Sequence, residues 1–176
     1  NTRPCTILTV DLAGPRAGVP LQAQKGFHKV PYLIHPRILD AVMLRAEQFC
    51  ISPETILAVI ATESAFDPWA IGDQGHSVGL GQLHDQGAGS GMTVAERMDI
   101  GRNVEVLAQY LANCYQATGN WDDALSAYNQ GLNGWRSRGR AINNGYVQTV
   151  QMWVNTFAID GFDPDPNTGL IRFVEP

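Results

Sequence analysis

From Pro36 onward the apolar positions of this chain fall into a helical rhythm; before it they follow none. Ile38, Val42, Ala46 and Phe49 recur at steps of three and four, which lines one face of a helix. Pro36 suits the first turn, where its missing N–H is not needed. Ser52-Pro53-Glu54 then combines an N-cap, a first-turn proline and an early acid. The run it opens, Ile56-Leu57-Ala58-Val59-Ile60-Ala61, is apolar on nearly every side, so this helix should pass through the core. Phe66-Asp67-Pro68 should end it.

Residues 67–92 lose the rhythm and are rich in Gly, Asp, Gln, His and Ser. So long a polar stretch within a compact domain reads as a functional loop region. Thr93 to Glu96 has the form of a capping box. Leu107, Leu111 and Cys114 continue a helical face with Tyr110 beside it, and Gly119 supplies a stop. Asp122 to Asn129 reads as a short helix halted by Gly131, and Tyr146, Val150, Trp153 and Phe157 mark a last amphipathic helix.

The two ends differ from this body. Thr6 to Val10 is β-prone and Gly14, Pro15, Gly18 and Pro20 follow, so residues 1–34 read as an extended arm or linker. The Asp163-Pro164-Asp165-Pro166 segment marks residues 161–176 as a non-helical tail. The expected architecture is mainly α: residues 35–160 as one helical domain around a buried central helix, with little strand.

Composition narrows the classes. With 176 residues, 44% hydrophobic and 16% charged, the chain is globular rather than disordered. No apolar stretch approaches the ~20 residues of a membrane span. A net charge of −5 gives no nucleic-acid footprint, and Arg136-Ser137-Arg138-Gly139-Arg140 reads as a solvated loop. The three cysteines, Cys5, Cys50 and Cys114, match no zinc spacing; Cys50 and Cys114 read as small core residues, with one disulfide left open as an alternative. The chain begins at Asn1 rather than Met, the expectation for a processed product or a piece of something longer.

Glu63 carries the chemistry. It closes the apolar run, and both burial and the negative end of a helix dipole favour its neutral form. A carboxylic acid kept protonated near neutral pH can donate its proton to a leaving oxygen, which is what glycosidic bond cleavage requires.

Glu63-Ser64-Ala65-Phe66-Asp67-Pro68, followed by Gly79-Leu80-Gly81-Gln82-Leu83, resembles lytic transglycosylases of the soluble, goose-lysozyme-like kind. Those enzymes carry Glu-Ser, a Phe-Asn-Pro-like turn and Gly-Leu-Met-Gln. Their later Ala-Tyr-Asn and Tyr-Val are matched by Ala127-Tyr128-Asn129 and Tyr146-Val147. The resemblance runs over about residues 36 to 155 and implies a lysozyme-like helical fold with a glycan cleft. It implies Glu63 as acid and then base, with Ser64, Asp73, Gln82, Tyr128, Asn129 and Tyr146 contacting the substrate. The implied reaction cuts the β-1,4 bond between N-acetylmuramic acid and N-acetylglucosamine in peptidoglycan, leaving a 1,6-anhydro end. The implied partner is the glycan strand, and the implied setting is the cell envelope, periplasmic or extracellular, or a phage virion. Gly81 stands where the family usually has Met, so that wall of the cleft is expected to be wider.

Gly72-Asp73-Gln74-Gly75 running into Gly79-Leu80-Gly81-Gln82 also resembles goose-type lysozymes. There two aspartates are thought to hold a hydrolytic water. Asp73 fits the first, while His84 occupies the second slot, with Asp85 one place later. An inverting muramidase is therefore the alternative, and a catalytically weak glycan-binding or structural module of a phage tail or secretion apparatus is a second one. His76, His84, Asp73 and Asp85 fit no standard metal spacing, and the histidines read as solvated, so no metal or cofactor is expected. A Ser-His-Asp triad through Ser64 lacks the nucleophile-elbow context.

Overall fold

The structure is a computed structural model that describes residues 33–159, 163–164 and 171–172. The expected strand at Thr6 to Val10, most of the N-terminal arm and most of the tail lie outside the described residues. Seven α-helices dominate the described part: α1 (Pro36–Phe49), α2 (Pro53–Ser64), α3 (Val94–Met98), α4 (Ile100–Thr118), α5 (Trp121–Gln130), α6 (Leu132–Ser137) and α7 (Asn144–Ile159).

The signals that start and stop these helices act as read. Ser52 caps α2 by accepting the Thr55 N–H, with Pro53 in the first turn. In α3, Thr93 accepts the Glu96 N–H at 3.1 Å and Glu96 accepts the Thr93 N–H at 2.7 Å, a complete capping box. Gly119 ends α4 in the left-handed conformation.

Helix α2 is the centre of the molecule. Thr55 through Ala61 are all buried, including Ile56, Leu57, Val59 and Ile60 with no exposure. Burying each such side chain contributes about 1.5–3 kcal/mol, so α2 alone anchors much of the core. It packs most heavily on α7, through which Val147, Val150, Trp153, Val154 and Phe157 turn inward. α1 packs on α4, and α4 on α5.

The polar stretch after α2 is more ordered than expected. It folds into an antiparallel meander of β2 (Ile71–Gly72), β3 (Ser77–Val78) and β4 (Leu83–His84), with a 3₁₀ turn at Asp73–Gly75. Two-residue strands carry no readable alternation, which is why the sequence showed only loop. A second small sheet has the order β1-β6-β5: β1 (Leu33–Ile34) pairs antiparallel with β6 (Ile171–Arg172), which pairs with β5 (Asp163–Pro164). Helix α6, also unforeseen, covers Leu132–Ser137, so part of the arginine-rich segment is helical; Arg136, Arg138 and Arg140 are exposed as expected.

The cysteines divide. Cys114 is a free, buried thiol, as read. Cys50 is disulfide-bonded and sits half-buried at the left-handed C-cap of α1, rather than filling core as a thiol. Among the described residues, no helix is long and apolar enough to cross a membrane.

Candidate active site

Helix α2 delivers Glu63 from the core to the floor of an open cleft of about 780 Å³. Ala65 and Phe66, both at positive φ, then turn the chain sharply away. The carboxyl group is half-buried, and its loss of hydration pushes its pKa up from 4.5 to about 7. Two neighbours modify this. The Tyr146 hydroxyl, from α7, donates to Glu63 Oε1 at 2.6 Å and favours the charged form; the Asp73 carboxylate favours the neutral one. The net result is an acid that is about half protonated at neutral pH.

Asp73, Gln82, Tyr128 and Asn129 line the same cleft as Glu63. Asp73 is exposed, at positive φ, and accepts from the Ser77 hydroxyl. The Gln82 amide donates to the carbonyls of Ala70 at 3.1 Å and Gly79 at 3.0 Å, so it ties the meander together while facing the cleft. Tyr128, 8% exposed, donates its hydroxyl to the Gly81 carbonyl at 2.8 Å. Asn129 is exposed, and its Oδ1 accepts from the Asn143 side chain at 2.9 Å, which links α5 to the start of α7. Ala65, Phe66, Asp73, Gln74 and Gln82 all hold left-handed backbone without being glycine. Each such residue stores strain, and strain of this kind gathers at functional sites.

Three of the expected residues stand elsewhere. Ser64 is not among the lining residues; its hydroxyl donates to the Ile60 carbonyl one turn back, at 3.1 Å. Tyr146 lies outside the lining set too and acts behind the wall, on the Glu63 carboxylate. Asp85 turns from the cleft to His76, whose Nδ1 lies 2.9 Å from Asp85 Oδ2. That contact holds the Asp85 carboxyl below its usual range. In the second aspartate slot it is His84 that faces the cleft.

Gly81 does not widen the cleft. It is buried, and a Cβ there would meet Leu107 Cδ1 at 2.6 Å and the Tyr128 hydroxyl at 2.9 Å. The space that a side chain would take is already filled by α4 and α5, which allows Tyr128 to reach the Gly81 carbonyl.

Several contributors escaped the sequence reading. Tyr110 lines the cleft, accepts the Leu132 N–H at 3.0 Å and packs on Tyr128 with ring centroids 5.6 Å apart. Its place beside an otherwise apolar helical face was the available signal. The far walls come from Gln86 to Ala88 and from Gln130 to Gly134. Asn103, 1% exposed, accepts the Gly81 N–H at 2.9 Å and donates to the Val78 and Arg97 carbonyls at 3.2 and 2.6 Å. Arg97, 4% exposed, donates to the carbonyls of His76 and Leu83.

Comparison with known proteins accords with this arrangement. In fold the chain is similar to the 70 kDa soluble lytic transglycosylase from Escherichia coli, with a TM-score of 0.54 and 22% identity over 65% of this chain and 23% of that one. It is similar also to an inactive mutant of the lytic transglycosylase Slt from Pseudomonas aeruginosa, with a TM-score of 0.53 and 20% identity over 65% of this chain and 23% of that one. The chain thus spans less than a quarter of either neighbour's length. The mainly helical fold that the motifs implied accords with this likeness. No curated protein sequence matches the chain significantly. The family model for the transglycosylase SLT domain matches residues 41–146, which takes in α2, the meander and the start of α7. The chain therefore belongs to the SLT transglycosylase domain family.

Proposed function

We propose that this protein is a lytic transglycosylase that cuts the β-1,4 bond between N-acetylmuramic acid and N-acetylglucosamine and leaves a 1,6-anhydro muramoyl end. One observation carries the reading: Glu63, whose carboxyl group desolvation pushes up to about 7, lines an open polar cleft. Protonated Glu63 donates to the bridging oxygen as the C1–O bond breaks and an oxocarbenium-like centre develops. The resulting carboxylate then takes the proton of the muramoyl C6 hydroxyl, whose oxygen bonds to C1. No water is consumed, and Glu63 ends protonated. This route needs no second carboxylate as nucleophile or base. Tyr146 keeps the carboxylate usable as a base in the second half, while Gln82, Tyr128 and Asn129 offer polar edges to the sugars. The substrate is a peptidoglycan strand, and the setting is the cell envelope or a virion, as part of a larger polypeptide or alone.

A second reading, an inverting muramidase, draws support from Asp73, which lines the same cleft. It is weakened by Asp85, which is turned to His76 instead. Digestion of purified sacculi followed by mass spectrometry separates the two. Anhydro ends, one water lighter than reducing ends, are expected to dominate; mostly reducing ends would favour the muramidase. Glu63→Gln should lower the rate by about 10²–10⁴-fold with the fold retained. Retention of most of the activity would remove Glu63 from the reaction, whereas binding of the wild type to sacculi with no soluble product would leave a glycan-binding module.

A further inference from the structure

One cluster beside the cleft has no part in the chemistry above. His76, His84 and Asp85 offer ligand atoms that all lie within 4.8 Å of one another. The meander brings them there. Ser77 pairs with His84 across β3 and β4, and the Asp85 N–H donates to the His76 carbonyl at 3.0 Å. Arg97 clamps the same backbone from behind, through the carbonyls of His76 at 2.6 Å and Leu83 at 3.0 Å. The two imidazole rings lie nearly parallel, 15° apart, with centroids separated by 5.5 Å. The donor-bearing segment is thus held in place without any ion.

The hydrogen bonding inside the cluster is incomplete. Asp85 Oδ2 is matched by His76 Nδ1 at 2.9 Å, but Asp85 Oδ1 is shut off from solvent and receives no hydrogen bond. His84 Nδ1 lies 3.4 Å from it. That nitrogen accepts the Gln86 N–H at 3.1 Å, so in this tautomer it has no proton to give. Two electron-rich atoms therefore stand side by side with nothing positive between them. The Asp85 side chain is partly exposed, but this oxygen is not, and a cation between the two atoms would give both a partner.

We propose that His76, His84 and Asp85 bind a divalent transition-metal ion, with Zn²⁺ as the ion that the donors suit. Two imidazoles and one carboxylate make a mixed N/O set of the kind borderline metals prefer, with the fourth position open to water. Bonds of about 2.0–2.2 Å require the donors to draw together, which rotation of these partly exposed side chains supplies. If His84 binds through Nδ1, the Gln86 N–H exchanges that acceptor for solvent, since Gln86 is exposed. The ion would staple the turn before β3 to the end of β4. That segment carries Gln82 and His84 on the cleft wall, so the effect is to stiffen one side of the site.

The test needs no cell-wall assay and stands apart from the reading of the cleft. Protein stripped with a chelator is titrated with Zn²⁺ by calorimetry and melted with and without Zn²⁺ or Mg²⁺. One Zn²⁺ per chain should bind at micromolar or tighter dissociation constant, raising Tm, while Mg²⁺ leaves it unchanged. His76→Gln, which lies outside the lining set of the cleft, should weaken binding at least tenfold. His35→Gln, at the N-cap of α1, should leave it unchanged. Should His76→Gln fold poorly by circular dichroism, Asp85→Asn serves the same comparison. Absence of Zn²⁺ binding, or binding untouched by both His76→Gln and Asp85→Asn, would overturn the proposal.

Discussion

Glu63 stands between a force that neutralises it and one that charges it. Desolvation raises its pKa, and the Tyr146 hydroxyl at 2.6 Å opposes that rise. Tyr146→Phe removes only the second. The pKa of Glu63 should then climb further, and the alkaline limb of the pH–rate profile, where the acid form is lost, should move to higher pH. The rate should still fall, because the carboxyl group loses the hydrogen bond that orients it for both proton transfers. Loss of this hydrogen bond should cost about 1.5–3 kcal/mol near neutral pH, readable in denaturant titrations. An unmoved limb would mean that Tyr146 is packing and no more. This pair also marks the limit of the sequence: Glu63 was legible from the apolar run before it, and Tyr146 from a motif, but a bond between residues so far apart along the chain was not. Ser64 has a local partner that its motif did not show. A serine in the last turn of a helix readily bonds the carbonyl four residues back, and here it does.

At the scale of elements, the meander that carries Asp73, Gln82 and His84 is tied to the helices by buried Leu80 and Leu83 and by three buried polar side chains, Asn103 on α4, Arg97 on α3 and Tyr128 on α5. Asn103 serves three backbone groups at once: the Gly81 N–H and the Val78 and Arg97 carbonyls. Asn103→Leu leaves all three without that partner in a dry place. The expected loss is roughly 3 kcal/mol or more, with faster hydrogen exchange at the Gly81 amide than elsewhere in the core. A variant within about 0.5 kcal/mol of wild type would show that water or a shifted loop replaces the amide. The long helices were legible because each repeats its apolar positions over several turns and carries its own signal, Ser52 for α2 and Gly119 for α4, while the short α3 was legible from its capping box at Thr93 alone. The meander and α6 were not. Their turns are too short for a period to show, and Asn103 looks like any polar residue on an amphipathic helix until its neighbours are known.

For the whole molecule, the acid at the end of α2 is a liability that the fold carries. Its pKa rises from 4.5 to about 7, so charging it opposes folding. The penalty is absent below about pH 4.5, grows as pH rises through the interval and is complete above about 7, at up to roughly 3 kcal/mol. Glu63→Gln should therefore melt several degrees above wild type at pH 8 and together with it near pH 4. A variant that melts below wild type at pH 8, with the gap closing in acid, would mean a stabilised carboxylate and would remove the physical basis for the general acid. The central placement of α2 was foreseeable from composition alone, since a helix with no polar face has nowhere else to go.

The small sheet of β1, β6 and β5 joins the first described residues of the chain to the last. The pairing of Leu33–Ile34 with Ile171–Arg172 closes a loop around all the described helices, and burial of Ile34 in the core offsets part of the entropy this takes. Contacts of such high sequence separation form late, after the helices have condensed on α2, and they open early. The molecule thus has a seam, whose closure follows the condensation of its helical body.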